Sequence, residues 1–120
     1  MATKESHIAV FDSGVGGVSV LKRLMALMPR ERYLYFGDSA NAPYGTKSTA
    51  EVRALSLAVA EKLCSRGIKA LVVACNTATS AAINELREAY PELIVIGIEM
   101  RNVAALGQIS ATSRSPATIV

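Results

Sequence analysis

Tryptophan is absent, histidine occurs once, and cysteine and phenylalanine twice each. The chain is therefore short of the residues that build disulfide frameworks, metal clusters and aromatic nucleic-acid platforms. The few candidates are also badly placed for such roles. Cys64 closes an expected helix just before a strand, and Cys75 follows that strand. Seven extended residues at ~3.3 Å each put the two thiols ~23 Å apart, beyond the reach of a disulfide. His7 opens another strand at the Cys64 end, so no clustered metal site is available. Long apolar runs are missing too. The longest, Ala70 to Cys75, is far below the roughly 18 residues of a membrane span. The polar stretch Met1 to Ser6 lacks the apolar region of a secretory signal, which makes the cytoplasm the expected compartment. Charge of one sign is scarce: the net value is +3, and Lys22, Arg23, Arg30, Arg32, Lys62, Arg66 and Lys69 are scattered, mostly near expected helix ends. That pattern answers helix dipoles and offers no concentrated stripe for nucleic acid.

What is present is a core. Of 120 residues 51% are apolar and only four are proline, with no biased tract, which suits one compact domain. Four short runs rich in β-branched and aromatic residues read as strands: His7 to Phe11, Tyr33 to Phe36, Ile68 to Ala74 and Leu93 to Ile96. Helical patterns alternate with them. Val18, Leu21, Leu24, Met25 and Met28 recur at helical spacing after Gly14 to Gly17 and stop at Pro29. Ser48 and Glu51 form a capping box ahead of Val52, Leu55, Val59 and Leu63, and Gly67 ends that helix. A third helix is expected from about Ala78 to Tyr90, before Pro91. After Glu99 only a short helix near Asn102 to Leu106, a connector and the beginning of a strand at Thr118 to Val120 are expected.

Strict alternation with continuously apolar strands predicts an α/β fold, an open and mainly parallel sheet with helices on both faces in three layers. Such sheets bind ligands at the carboxyl ends of their strands. Asp12, Asp38, Cys75 and Glu99 each fall just past a different strand end, so four reactive side chains converge on one edge. In Ala74-Cys75-Asn76-Thr77-Ala78-Thr79 a thiol stands between a strand and a helix, where open amide groups stabilise an anion. Asn76 and Thr77 are candidates either to cap that helix or to bind a carboxylate. Gly14-Val15-Gly16-Gly17 lacks the G-x-G-x-x-G spacing of a dinucleotide site, yet it lets backbone approach a ligand. Asp12 and Ser13 add an acceptor and a hydroxyl beside it. Asn41-Ala42-Pro43-Tyr44-Gly45-Thr46-Lys47 reads either as one wall of a small pocket or as an ordinary turn.

Four blocks, Val10 to Gly17, Tyr35 to Asp38, Pro43 to Lys47 and Leu71 to Thr79, occur in the order found in glutamate racemases of the aspartate/glutamate racemase superfamily. The resemblance covers about residues 7 to 99 and departs from the family at Met100-Arg101. It implies interconversion of L- and D-glutamate for peptidoglycan without a cofactor, neither pyridoxal phosphate nor metal, by two thiols on opposite faces of the α-carbon. Carried across by motif, Cys75 is one acid/base residue, assisted by Asp12. Asp12, Ser13, Tyr44, Gly45, Asn76 and Thr77 are then the substrate contacts. The family's second thiol belongs to a second domain of similar topology, after which the chain returns to complete the first. Residues 1–99 are thus expected to be an incomplete first domain and residues 100–120 the junction and start of the second, with little activity from these residues alone. A racemase for aspartate or a hydantoin, and a binding module without turnover, are the alternatives. The unpaired edge of an interrupted sheet would allow pairing with a second copy, a homodimer.

Overall fold

The computed structural model describes residues 6–14, 17–97 and 118–119. Four strands and three helices alternate as expected: β1 (His7–Asp12), α1 (Gly17–Leu27), β2 (Arg32–Gly37), α2 (Thr49–Cys64), β3 (Ile68–Val73), α3 (Asn76–Ala89) and β4 (Ile94–Gly97). Two short 3-10 turns, Ser39–Asn41 and Tyr44–Thr46, lie between β2 and α2, and Thr118–Ile119 forms a two-residue β5. All pairings are parallel, in the order β4-β3-β1-β2-β5. The expected helix near 102–106, the expected connector, Glu99, and Val15 and Gly16 of the glycine loop fall outside the described residues.

Side chains along a strand point alternately to its two faces, and β1 shows what that does to a continuously apolar run. Ile8 and Val10 pack with Leu21 and Leu24 of α1 and with Met28 just after it. Ala9 and Phe11 pack on the other side with Val52 and Leu63 of α2 and Ala78, Ala82 and Leu86 of α3. A single strand thus feeds two apolar clusters, giving three layers. Each large side chain fully removed from water contributes roughly 1.5–3 kcal/mol, so the central strand ties both halves of the core together. Among the described residues no helix is long and apolar enough to cross a membrane.

Helix ends follow local chemistry. The Tyr33 hydroxyl donates to the carbonyls of Leu24 at 2.9 Å and Met28 at 2.8 Å, which also accept from the Met28 and Glu31 amides, so β2 is tied to the end of α1. Burial, aided by the neighbouring Glu31 charge, pushes the Tyr33 phenol well above its ordinary range and keeps it a donor. At α2, the Glu51 amide donates to Ser48 Oγ at 3.1 Å as expected, while the Ser48 hydroxyl donates to Glu51 Oε1 at 3.2 Å. Gly67, at φ 77°, carries the chain out of that helix in a backbone region that other residues seldom enter.

The start of α3 is corrected. α3 begins at Asn76, two residues before the expected Ala78, with Cys75 as its N-cap, so neither Asn76 nor Thr77 caps it. Lys69 lies inside β3, within the run expected as a strand. The β1–β3 ladder steps from His7↔Ile68 to Ile8↔Ala70, which makes Lys69 the extra residue of a β-bulge. Its ammonium is buried 2.6 Å from Glu31 Oε1.

Candidate active site

β1 lies between β3 and β2, so whatever follows these strands must meet around Asp12. Pairing continues slightly past the strands: the Ala74 amide donates to the Phe11 carbonyl at 2.7 Å and the Asp38 amide to the Asp12 carbonyl at 2.8 Å. Three of the four expected convergent residues, Asp12, Asp38 and Cys75, are therefore brought together at one edge. All three are buried. Their charges act jointly on Tyr44. Its phenol is pushed far above the usual tyrosine range, first by burial, then by its hydrogen bond to Asp38, then by the charges of Asp38, Cys75 and Asp12.

Cys75 has extended backbone angles, φ −114° and ψ 123°, as an N-cap residue should. Its sulfur accepts from the Ala78 amide at 3.5 Å, and its thiol donates to Ser13 Oγ at 3.4 Å. The Cys75 carbonyl is held as well, by the Thr79 amide at 2.9 Å and the Thr79 hydroxyl at 2.9 Å. The thiol is thus fixed at the start of α3. It is only 8% exposed, but it touches the Ser13 hydroxyl across the strand ends, at the rim of the sheet.

The glycine loop is shaped by contact. Asp12 Oδ2 accepts from the Gly14 amide at 3.3 Å, and the Tyr35 hydroxyl donates to the Gly14 carbonyl at 3.0 Å. Gly37 lies so close beneath that carbonyl that an added Cβ would come within 2.4 Å of the oxygen. Gly37→Ala is therefore expected to cost about 1–3 kcal/mol, because a pinned backbone oxygen must move. Urea unfolding of the variant against the parent measures it.

The remaining expected contacts differ in what they present. Ser13 and Thr77 are half-buried, while Asn76 and Gly45 are exposed, so all four have surface to offer a ligand. Tyr44 does not: it is 1% exposed, its ring packs 6.1 Å from that of Phe11, and its hydroxyl donates to Asp38 Oδ2 at 2.6 Å. The aromatic residue expected in a pocket wall is a core residue beneath its turn. The sequence named Asp38 among the convergent groups but carried no sign of its link to Tyr44. An open groove of about 310 Å³, lined by Lys47, Thr49, Val52, Thr77, Ser80 and Ala81, runs beside the starts of α2 and α3. It shares Thr77 with the edge described above and does not include Cys75.

No family model matches the chain. Individual proteins do. The chain is 62% identical over 99 residues, 82% of its length, to a glutamate racemase of Clostridium acetobutylicum, and 59% identical over 99 residues to one of Clostridium botulinum. It spans about two-fifths of the length of these curated relatives, 39% and 38%. Among solved structures, glutamate racemase from Thermus thermophilus in complex with β-chloro-D-alanine superposes with a TM-score of 0.76 at 38% identity, covering 98% of this chain and 52% of that one. The Francisella tularensis glutamate racemase in complex with D-glutamate gives 0.75 at 27% identity, covering 97% and 53%.

Proposed function

We propose that this chain, a homologue of the glutamate racemases, supplies one face of the active site of a cofactor-independent enzyme that interconverts L- and D-glutamate. The observation that carries this reading is the placement of Cys75: a thiol that caps α3, bonded to Ser13 and grouped with Asp12 at the carboxyl edge of the sheet. Inverting an α-carbon without a cofactor needs a base on one face and an acid on the other, because a single group can only return the proton to the side it left. Cys75 fills one of these roles in each direction. Asp12, which ends the strand β1 that pairs with the strand leading into Cys75, assists the proton transfer in this reading.

The chemical difficulty lies in the weak acidity of the α-proton. Its removal builds charge on the carboxylate, and fixed dipoles aimed at that charge lower the barrier without reorganising. The first turn of α3, with Asn76 and Thr77, supports this task from the same helix end that holds the thiol. Ser13 and Gly45 complete the near wall. The opposed thiol comes from outside these residues, since Cys64, the other cysteine here, closes α2 away from this edge. In this reading residues 1–99 are the first domain of a two-domain enzyme that provides D-glutamate for peptidoglycan, and residues 100–120 lead into the second.

Deuterium exchange tests the proposal. L-glutamate incubated with the complete enzyme in deuterated water should gain deuterium at the α-carbon as D-glutamate accumulates, followed by NMR and chiral chromatography. Product without solvent deuterium would rule out exchangeable thiols as the acid and base.

A further inference from the structure

Asp38 follows β2 by one residue and is 8% exposed, yet its carboxylate is well occupied. Oδ2 accepts from the Tyr44 hydroxyl at 2.6 Å, and Asn41 Nδ2 donates to Oδ1 at 3.0 Å and Oδ2 at 3.1 Å. The Asp38 amide meanwhile donates to the Asp12 carbonyl at 2.8 Å. One residue therefore joins the end of β1, the 3-10 turn Ser39–Asn41 and the turn Tyr44–Thr46. Burying a carboxylate is costly unless hydrogen bonds replace water, so these contacts hold the geometry strongly.

The Tyr44 hydroxyl is engaged with Asp38 and its ring with Phe11, which leaves the side chain facing the core. Above it, Gly45 is exposed, and the turn packs against α3, the helix that carries Cys75 at its start. We propose that Asp38 is a positioning residue: by anchoring Tyr44 from below, it sets the backbone of Tyr44–Thr46 as the rigid substrate-binding wall opposite the start of α3. The proposal rests on the racemase reading for the identity of the substrate and on hydrogen bonds alone for the anchor. It assigns Asp38 to binding and leaves proton transfer to the thiols.

The test uses the complete enzyme with Asp38→Ala, Asp38→Asn, Tyr44→Phe and the Asp38→Ala/Tyr44→Phe double variant. Asp38→Ala and Tyr44→Phe should each raise KM for glutamate about tenfold with kcat within about threefold, and the double variant should be no worse than either. Asp38→Asn keeps an acceptor for the phenol and should recover most of the loss. Amide hydrogen exchange across residues 41–47 should quicken about tenfold in Asp38→Ala and Tyr44→Phe, reporting the anchor without any turnover. Additive effects, unchanged exchange, or a fall in kcat with a shifted pH profile at constant KM would overturn the assignment. If Asp38→Ala does not fold, Tyr44→Phe against Asp38→Asn carries the same contrast. A parent enzyme that fails to racemise glutamate sinks the functional reading, while the hydrogen-exchange contrast still decides the anchor.

Discussion

Replacing Cys75 by serine in the complete enzyme is expected to lower racemisation by about 10²–10⁴-fold, the usual worth of a positioned acid or base. The substitution is mild for the fold. Serine is among the preferred helix caps and can take the place of the sulfur at the start of α3, so circular dichroism and the unfolding midpoint should remain near those of the parent. What changes is the ability to hold a negative charge next to an α-hydrogen at neutral pH, which a serine hydroxyl does poorly. The loss should be the same for L- and D-glutamate. Enantiomers have equal free energies, so kcat/KM must match in the two directions for any variant, and Cys75 is base in one and acid in the other. Circular dichroism of the reaction mixture, started from each enantiomer, measures both. Near-parental turnover in Cys75→Ser would refute the assignment.

The sequence made the sheet and its working edge legible because both follow from simple periodicities. Continuously apolar strands alternating with amphipathic helices leave little choice but a covered parallel sheet, and the ligand edge follows from strand direction. Boundaries were less legible where one residue does an unexpected job. Cysteine is not among the preferred N-caps, so the pattern favours Asn76 or Thr77 as the cap and places the start of α3 two residues later than the structure does. Tyr44 shows a different limit. Beside proline and glycine in a loop, it gives no local sign of whether its ring faces a ligand or the core. Burial beneath the turn depends on Phe11, 33 positions earlier in the chain, and on Asp38 at the end of another strand. The burial of Lys69 is not legible in the sequence, although its strand is. A cation inside an apolar run is ordinarily read as reaching toward solvent, and only a bulge and an acid from the approach to β2 reveal that it is buried.

That buried pair leads to the largest expected effect on stability. Lys69 Nζ lies 2.6 Å from Glu31 Oε1, with side chains only 6% and 3% exposed. Attraction between unit charges at such range needs no alignment of donor and acceptor. Lys69→Met removes one charge and leaves the other without its compensating partner, at an expected cost of about 3–5 kcal/mol. Against a typical total of about 5–15 kcal/mol, that is enough to depopulate the native state of a marginal domain. The double replacement Glu31→Leu/Lys69→Met should behave quite differently. Two apolar side chains of similar volume avoid the desolvation penalty altogether, so most of the stability lost in Lys69→Met should return. Glu31 immediately precedes β2 and Lys69 is the second residue of β3, which places the pair at the end of the sheet opposite Cys75. The urea midpoint should therefore fall in Lys69→Met and return in the double variant, which should keep the parental KM for glutamate, and a change in KM would mean that the two ends of the sheet are coupled through β1 and β3.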